Sequence, residues 1–293
     1  MKRGIDHLVL CVRDLEAARA RYRSLGFTLT PHGRHPFGTA NSLVQLRSTY
    51  VELLTVADPA LIPPPGPGVF SFGAFNREFL ARREGFSMLA LQSEDAEADA
   101  AEFRAKDIGP YAPYRFERKA RLPDGSEATV AFSLAFATDP AMPEAALFTC
   151  RHHSPELFFK PDYQRHANGA LDVAEVVIAA ADPSRLAPFF ERMFGRQQIE
   201  PNPTGLRVGT GSGAVSAISR EAFTARFPDG LPTLAPATPH FAAFVIEVAA
   251  LGRTRAVLLE GGAPIRESGD RVILPADHAF GVTIAFVDQA SKR

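Results

Sequence analysis

Four residues of this chain have the types and settings that chemistry uses: His7 in IDHLVLCV, His35 in GRHPFGTAN, Glu52 in YVELLTV and His152 in ALFTCRHH. Imidazoles and carboxylates are the groups that ligate metal ions and move protons. In an extended strand, alternate side chains point to opposite faces. His7 therefore shares a face with Val9 and Cys11, and the more aliphatic Leu8, Leu10 and Val12 share the other. The same parity groups Tyr50, Glu52 and Leu54. A carboxylate inside an apolar strand is costly unless it is paired or coordinated. A buried His7 to Glu52 hydrogen bond would satisfy both residues with no metal, so the two readings stand side by side. His35 lies in a loop long enough to arch over a cup, where Gly38 permits close backbone approach. Asn41 could donate and accept toward a substrate carbonyl or phenol. The plain alternative is an ordinary loop in which Asn41 closes a turn. His152 and His153 adjoin Ser154-Pro155 at a strand end, where exposed histidines are common, and one of the two must point away from the other.

The elements that must position these groups can be read from periodicity. Ile5 to Val12 is apolar on both faces apart from Asp6 and His7, the pattern of a strand covered on both sides. Asp14 stands at a helix N-cap, and Leu15, Ala18, Tyr22 and Leu25 form one apolar stripe before the stop at Gly26. Strands are expected at Phe27 to Thr30, Asn41 to Arg47 and Tyr50 to Val56, and a proline-rich linker at Asp58 to Gly68. A short helical segment comes next within Val69 to Arg83, anchored by Phe70, Phe75 and Phe79. The order strand, helix, strands then recurs from Phe86, from Val173 and from Phe241, which makes an internal repeat of four modules.

A chain of 293 residues suggests two domains, each able to bury its own core. The balance of 32 basic against 33 acidic residues speaks against a nucleic-acid partner or an anionic membrane surface and leaves a small molecule as the expected partner. The apolar runs are too short to cross a bilayer, and a cytoplasmic location is expected. Cys11 and Cys150, both in apolar strand candidates, are expected to be buried free thiols.

The repeat resembles the βαβββ module of the vicinal oxygen chelate superfamily, and the first half is similar to its glyoxalase-like domain proteins. The residues that carry the likeness are Asp6-His7 with Arg13-Asp14-Leu15, Leu25-Gly26-Phe27, His35 with Gly38-Thr39-Ala40-Asn41, and Tyr50-Val51-Glu52-Leu53-Leu54. His152-His153-Ser154-Pro155-Glu156 and His166-Ala167-Asn168-Gly169-Ala170 extend it. The resemblance implies an α+β fold of four βαβββ modules, paired into two domains with curved, mixed, mostly antiparallel sheets. Residues 1–154 and 171–293 are the expected domains, with 155–170 between them. It implies metal ligands at His7 and Glu52 on adjacent strands. The second module offers only Met88 or Ser87 at its first-strand position, so His152 is the candidate third ligand. This set suits Zn, Ni, Mn or Fe(II). Glu52 and His35 are the candidate catalytic groups, and Asn41, Arg151 and Tyr50 the candidate substrate contacts, although Arg151 faces oppositely to Cys150. The implied function is a metal-dependent lyase, isomerase or dioxygenase acting on a small molecule with vicinal oxygens. The alternative is a metal-free protein that sequesters a small molecule. In the second half, Glu175 falls at the position of His7 with no ligand opposite it, which implies scaffold, a dimer surface or a metal-free pocket.

Overall fold

The computed structural model describes residues 3–232 and 235–289. The first half runs β1 (Ile5–Cys11), α1 (Leu15–Ser24), β2 (Gly33–Arg34), β3 (Thr39–Gln45), β4 (Tyr50–Val56), α2 (Phe72–Arg82), β5 (Gly85–Gln92), α3 (Ala96–Ala105), β6 (Tyr114–Arg121), β7 (Glu127–Ala137) and β8 (Ala146–His152). A single turn, α4 (Pro155–Phe158), leads to the second half. That half runs β9 (Ala170–Ala180), α5 (Ala187–Phe194), β10 (Ile199–Asn202), β11 (Gly205–Gly209), β12 (Ala214–Ser219), α6 (Arg220–Arg226), β13 (His240–Val248), α7 (Leu251–Glu260), β14 (Arg266–Ser268), β15 (Arg271–Leu274) and β16 (Thr283–Asp288). The fold is α+β, built from four βαβββ modules.

Each half is one eight-stranded sheet, in the orders β2-β3-β4-β1-β5-β8-β7-β6 and β10-β11-β12-β9-β13-β16-β15-β14. Within a module the first and last strands pair in parallel, as β1 does with β4 and β5 with β8, and the modules join antiparallel through β1 and β5. The first strand of each module is thereby central to its sheet. The sheet is curved until its two edge strands, β2 and β6, approach one another. Its convex face packs against α1 and α3 in a core continuous with the second half. There Phe86 stacks on Phe241 with ring centroids 4.3 Å apart. Its concave face carries a separate aromatic cluster, closed at one end by Phe72 and Phe79 of α2 and at the other by Phe158 of α4.

The local signals for the helices hold at atomic detail. Asp14 caps α1 by accepting the Ala17 N–H at 2.9 Å, and Ser71 caps α2. The segment Phe27 to Thr30, expected as a strand, has no ladder partner; the edge strand of that module is instead Gly33–Arg34. Thr30 is occupied otherwise, its carbonyl accepting from Arg19 Nη1 at 2.9 Å and from Ser42 Oγ at 2.7 Å. Helix α6, which has no strong sequence signal, lies over the concave face of the second sheet with Phe223 and Phe227 in its core. The connecting segment is tied to both halves: His166 Nδ1 accepts the Thr28 N–H at 3.0 Å, Asn168 Nδ2 donates to the Leu25 carbonyl at 2.8 Å, and the Asn168 carbonyl accepts from Thr254 Oγ1 at 2.7 Å. Among the described residues, no helix is long and apolar enough to cross a membrane.

Phe86→Ala removes one ring of the stack that joins the halves. It should lower the unfolding free energy by about 3 to 5 kcal/mol, read as an earlier urea midpoint. An unchanged midpoint would show that the halves do not depend on this contact.

Candidate active site in the first cup

The register of β1 on β4 sets the site. His7 pairs with Tyr50 and Val9 with Glu52, so parallel neighbours put the imidazole and the carboxylate on the concave face. Both are buried, and the His7 ring stacks on Tyr50 at 4.3 Å and 13°. Together with His35, Asn41, Arg118 and a ring of phenylalanines they line a cavity of about 30 Å³.

Asp6 belongs to this group against strand parity. The ladder between β1 and β5 shifts between Ile5 and His7, so Asp6 is the extra residue of a β-bulge. A bulge bends the strand and re-aims its side chains, which lets Asp6 and His7 meet: Asp6 Oδ1 lies 2.5 Å from His7 Nδ1. The same oxygen lies 3.2 Å from His152 Nε2. Burial pushes the Asp6 carboxyl up, yet the charge and hydrogen bond of His152, and then those of His7, outweigh it and hold Asp6 well below the usual carboxylate range. An ionised Asp6 can only accept, so His7 Nδ1 donates to it and Nε2 is left facing Glu52, 3.8 Å from Oε2.

Glu52 fixes the other side of the site by a similar chain of donors and acceptors. Its Oε1 accepts from Asn41 Nδ2 at 2.6 Å, which sets the orientation of the amide. The same amide nitrogen lies 3.3 Å from His35 Nε2, so Nε2 is the acceptor and Nδ1 donates to Thr39 Oγ1 at 2.8 Å. His35 Nε2 stands 3.8 Å from Glu52 Oε1. Burial, then the charges of Arg118 and His7, press the His35 imidazole well below its usual range and keep it neutral. Two imidazole nitrogens thus flank one carboxylate at distances too long for hydrogen bonds.

A second donor group shares His7. One ligand atom each from Asp6, His7 and Cys150 lies within 4.8 Å of the others. Burial first, then the Asp6 and Glu52 charges, raise the Cys150 thiol well above its usual range, so it is protonated here. Cys11 and Cys150 are both free and buried.

His152, the third candidate ligand on sequence grounds, turns its Nε2 to Asp6, and its buried Nδ1 has no hydrogen-bond partner among the described residues. His153 points the other way, with Nε2 2.9 Å from Ser133 Oγ. Arg151 is exposed on the outer face, because it is one residue out of phase with Cys150, and it does not line the cavity. Tyr50 lines the cavity as a support for His7, and Asn41 as a support for Glu52. Arg118 is a cavity residue that the motifs do not mark. Its signal lies in YRFERKAR, where Tyr114, Phe116 and Arg118 share a face and are half-buried while their neighbours are exposed.

The second cup is closed by its own residues. Glu175 accepts from Arg226 Nη1 at 2.9 Å, forms an ion pair with Nη2, and accepts from Ser216 Oγ at 2.6 Å. Phe223 and Phe227 fill the space above.

The chain matches the model of the glyoxalase-like domain family over residues 5–194. It belongs to that family. Nearly the full length of the glyoxalase-like chain superposes on solved structures of low identity. A hypothetical protein from Staphylococcus aureus is 14% identical with a TM-score of 0.70, covering 98% of this chain and 99% of its own. A mutant of 4-hydroxymandelate synthase from Streptomyces coelicolor is 10% identical with a TM-score of 0.61, covering 98% and 92%. A xylose isomerase-like TIM barrel/4-hydroxyphenylpyruvate dioxygenase fusion protein is 13% identical with a TM-score of 0.56, covering 98% of this chain and 49% of its own. No curated protein sequence matches significantly. At these identities the superpositions establish the fold, including the two-sheet arrangement of the whole chain.

His240, the buried first residue of β13, gives a pH test of this half. Burial above all pushes its imidazole down to about 4; the Thr238 carbonyl opposes this, and the charges of Arg83 and Arg220 add to it. Its contribution to stability is complete above the ordinary value of 6.5 and is lost as pH falls toward 4, because over that range the unfolded chain binds a proton that the folded one refuses. His240→Gln should flatten the decline in stability between these pH values by about 3 kcal/mol in urea titrations. Parallel pH profiles of the two proteins would contradict the assignment.

Proposed function

We propose that the chain is a metal-dependent enzyme of the glyoxalase or dioxygenase type, acting on a small oxygenated molecule in the first cup. The observation that carries this reading is the pair of 3.8 Å gaps between the Glu52 carboxylate and the imidazoles of His7 and His35. They are unmade as hydrogen bonds, and the donor chemistry, two imidazole nitrogens and one carboxylate, is that of divalent transition-metal sites. His7, Glu52 and His35 are the residues that would hold the ion. Asp6 completes the arrangement, since a carboxylate on the far nitrogen of a ligating histidine fixes its tautomer and raises its basicity. The ligand atoms of Asp6, His7 and Cys150 lie closer together, within 4.8 Å, but that home would need the buried Cys150 thiol, which burial keeps protonated, and the 2.5 Å hydrogen bond of Asp6, whereas the first would give up the longer one from Asn41 to His35.

When bound, such an ion would polarise two neighbouring substrate oxygens and stabilise charge that develops as a proton leaves. The chain's own residues do the rest. Asn41 holds Glu52 Oε1, leaving Oε2 as the atom able to take a proton. The rings of Phe37, Phe116, Phe132 and Phe148 exclude water and strengthen each electrostatic contact within the cup. The similarity in fold to the 4-hydroxymandelate synthase and dioxygenase structures supports the oxygenase branch of the proposal. The aromatic lining also supports a second reading, a cup that sequesters an apolar compound without metal.

Metal content, measured by mass spectrometry on protein purified without tag or chelator, separates these readings. About one ion per chain is expected in the wild type. His7→Ala, Glu52→Gln and His35→Ala should lose it and Cys150→Ser should keep it. Loss in Cys150→Ser with retention in His35→Ala would move the site to the Asp6, His7 and Cys150 group. A wild type that stays metal-free after reconstitution with Zn, Ni, Mn and Fe(II) would leave only the sequestering protein.

A further inference from the structure

We infer that α4 and the strap that continues it, Pro155 to Tyr163, are the gate of the first cup, with Phe158 as its plug and Gln45 as its latch. The inference rests on the reading of this cup as the seat of a small molecule, with metal or without, and adds the route by which that molecule enters. The need for a gate follows from volume. The cavity beside Glu52 measures about 30 Å³ and its neighbour, on the side of His32 and Lys160, about 40 Å³. Each holds a water or two, whereas a ring-sized molecule needs about 150 Å³. Part of the lining must therefore move before an organic molecule can enter.

Most of the lining stands on strands whose ladders would have to break. His35 and Phe37 lie in the turn between β2 and β3, which is tied down where the Gly38 carbonyl accepts the Ala57 and Asp58 N–H groups, both at 2.9 Å. At the α2 end the closure is an eleven-residue helix capped by Ser71. Its Asn76 Oδ1 accepts from Cys11 Sγ of β1 at 2.9 Å and from Ser87 Oγ of β5 at 2.7 Å. Phe158 is held differently. Its buried ring lies 4.7 Å from His152, 5.0 Å from Tyr50 and 5.7 Å from Phe132. It lines both cavities, with Asn41, Leu43 and Arg118, so it is part of the wall between them and its withdrawal joins the two. The backbone that carries it has few ties. Helix α4 is a single turn whose N-cap, Ser154, makes no side-chain bond. Among the described residues, the hydrogen bonds from 155–163 to the sheet all go through the Gln45 side chain: Nε2 donates to the Phe158 carbonyl at 2.8 Å, and Oε1 accepts the Lys160 N–H at 3.0 Å. A segment with so few bonds opens at lower free energy than the ladders or the α2 closure.

The two free, buried thiols report the two ends of the cup. Cys150 lines the inner cavity with Phe158, and Cys11 lies under α2. The test is alkylation of the native full chain by iodoacetamide, with each thiol followed by peptide mass spectrometry. In the wild type Cys150 should react before Cys11. Gln45→Leu, which removes both ties, should speed Cys150 about ten- to a hundredfold and leave Cys11 unchanged. Phe158→Ala should speed Cys150 with Gln45 in place. Reaction of Cys11 first would move the opening to α2 and overturn the inference. So would a common rate for both thiols, which is the mark of global unfolding, or a Cys150 rate that Gln45→Leu does not change. Gated Cys150 in a protein that takes up no metal would sink the metal-enzyme proposal alone. Stoichiometric metal with both thiols reacting together would sink this inference alone.

Discussion

A carboxylate placed among hydrocarbon side chains must recover the hydration it has lost, and the first cup is arranged around that requirement at Glu52. Asn41 supplies the one short hydrogen bond, His7 and His35 face it from either side, and Arg118 adds positive charge from the opposite edge of the sheet. Each of these groups comes from a different strand or loop. The curvature of the sheet is therefore what holds the carboxylate in place, because a flatter sheet would carry β2 and β6 away from it.

The orientation of the imidazoles is set by groups one step further out. Asp6 on His7 and Thr39 on His35 take the far ring nitrogens, so both near ones face Glu52. Neither near nitrogen comes within hydrogen-bond distance of the carboxylate, and a cation held among the three groups would give each of them a partner. Asp6 reaches His7 only through the bulge in β1, so one irregular residue in the central strand sets the chemistry of the site.

The same module repeated in the second half leads to the opposite outcome. Glu175 stands where His7 does, but Arg226 from α6 pairs with it directly and Ser216 completes its hydrogen bonds. The carboxylate is satisfied within the chain, Phe223 of α6 and Phe227 just after it fill the cup, and little is left for a ligand. A single helix inserted over the concave face thus separates a satisfied cup from one with unmet polar groups.

What the sequence determined alone was whatever depends on neighbours along the chain. Period and capping placed α1, period placed the first strand of each module, and strand parity put His7, Tyr50 and Glu52 on one face, because side-chain direction in a strand is set within two residues. The family resemblance supplied the pairing of modules and the expectation that His7 and Glu52 sit side by side. Tertiary structure decided the rest. Phe27 to Thr30 kept a single backbone bond to β3, from the Thr30 N–H to the Leu43 carbonyl, in place of a ladder, and a bulge brought in Asp6. His152, the candidate third ligand, faces Asp6. His35 was carried from a loop to a buried position beside Glu52, and Arg118 arrived from a distant strand at the other edge of the sheet. Bulges, curvature and the meeting of sheet edges are properties of the whole sheet, settled by which strands pair and how tightly the sheet closes, and no local pattern of residues encodes them.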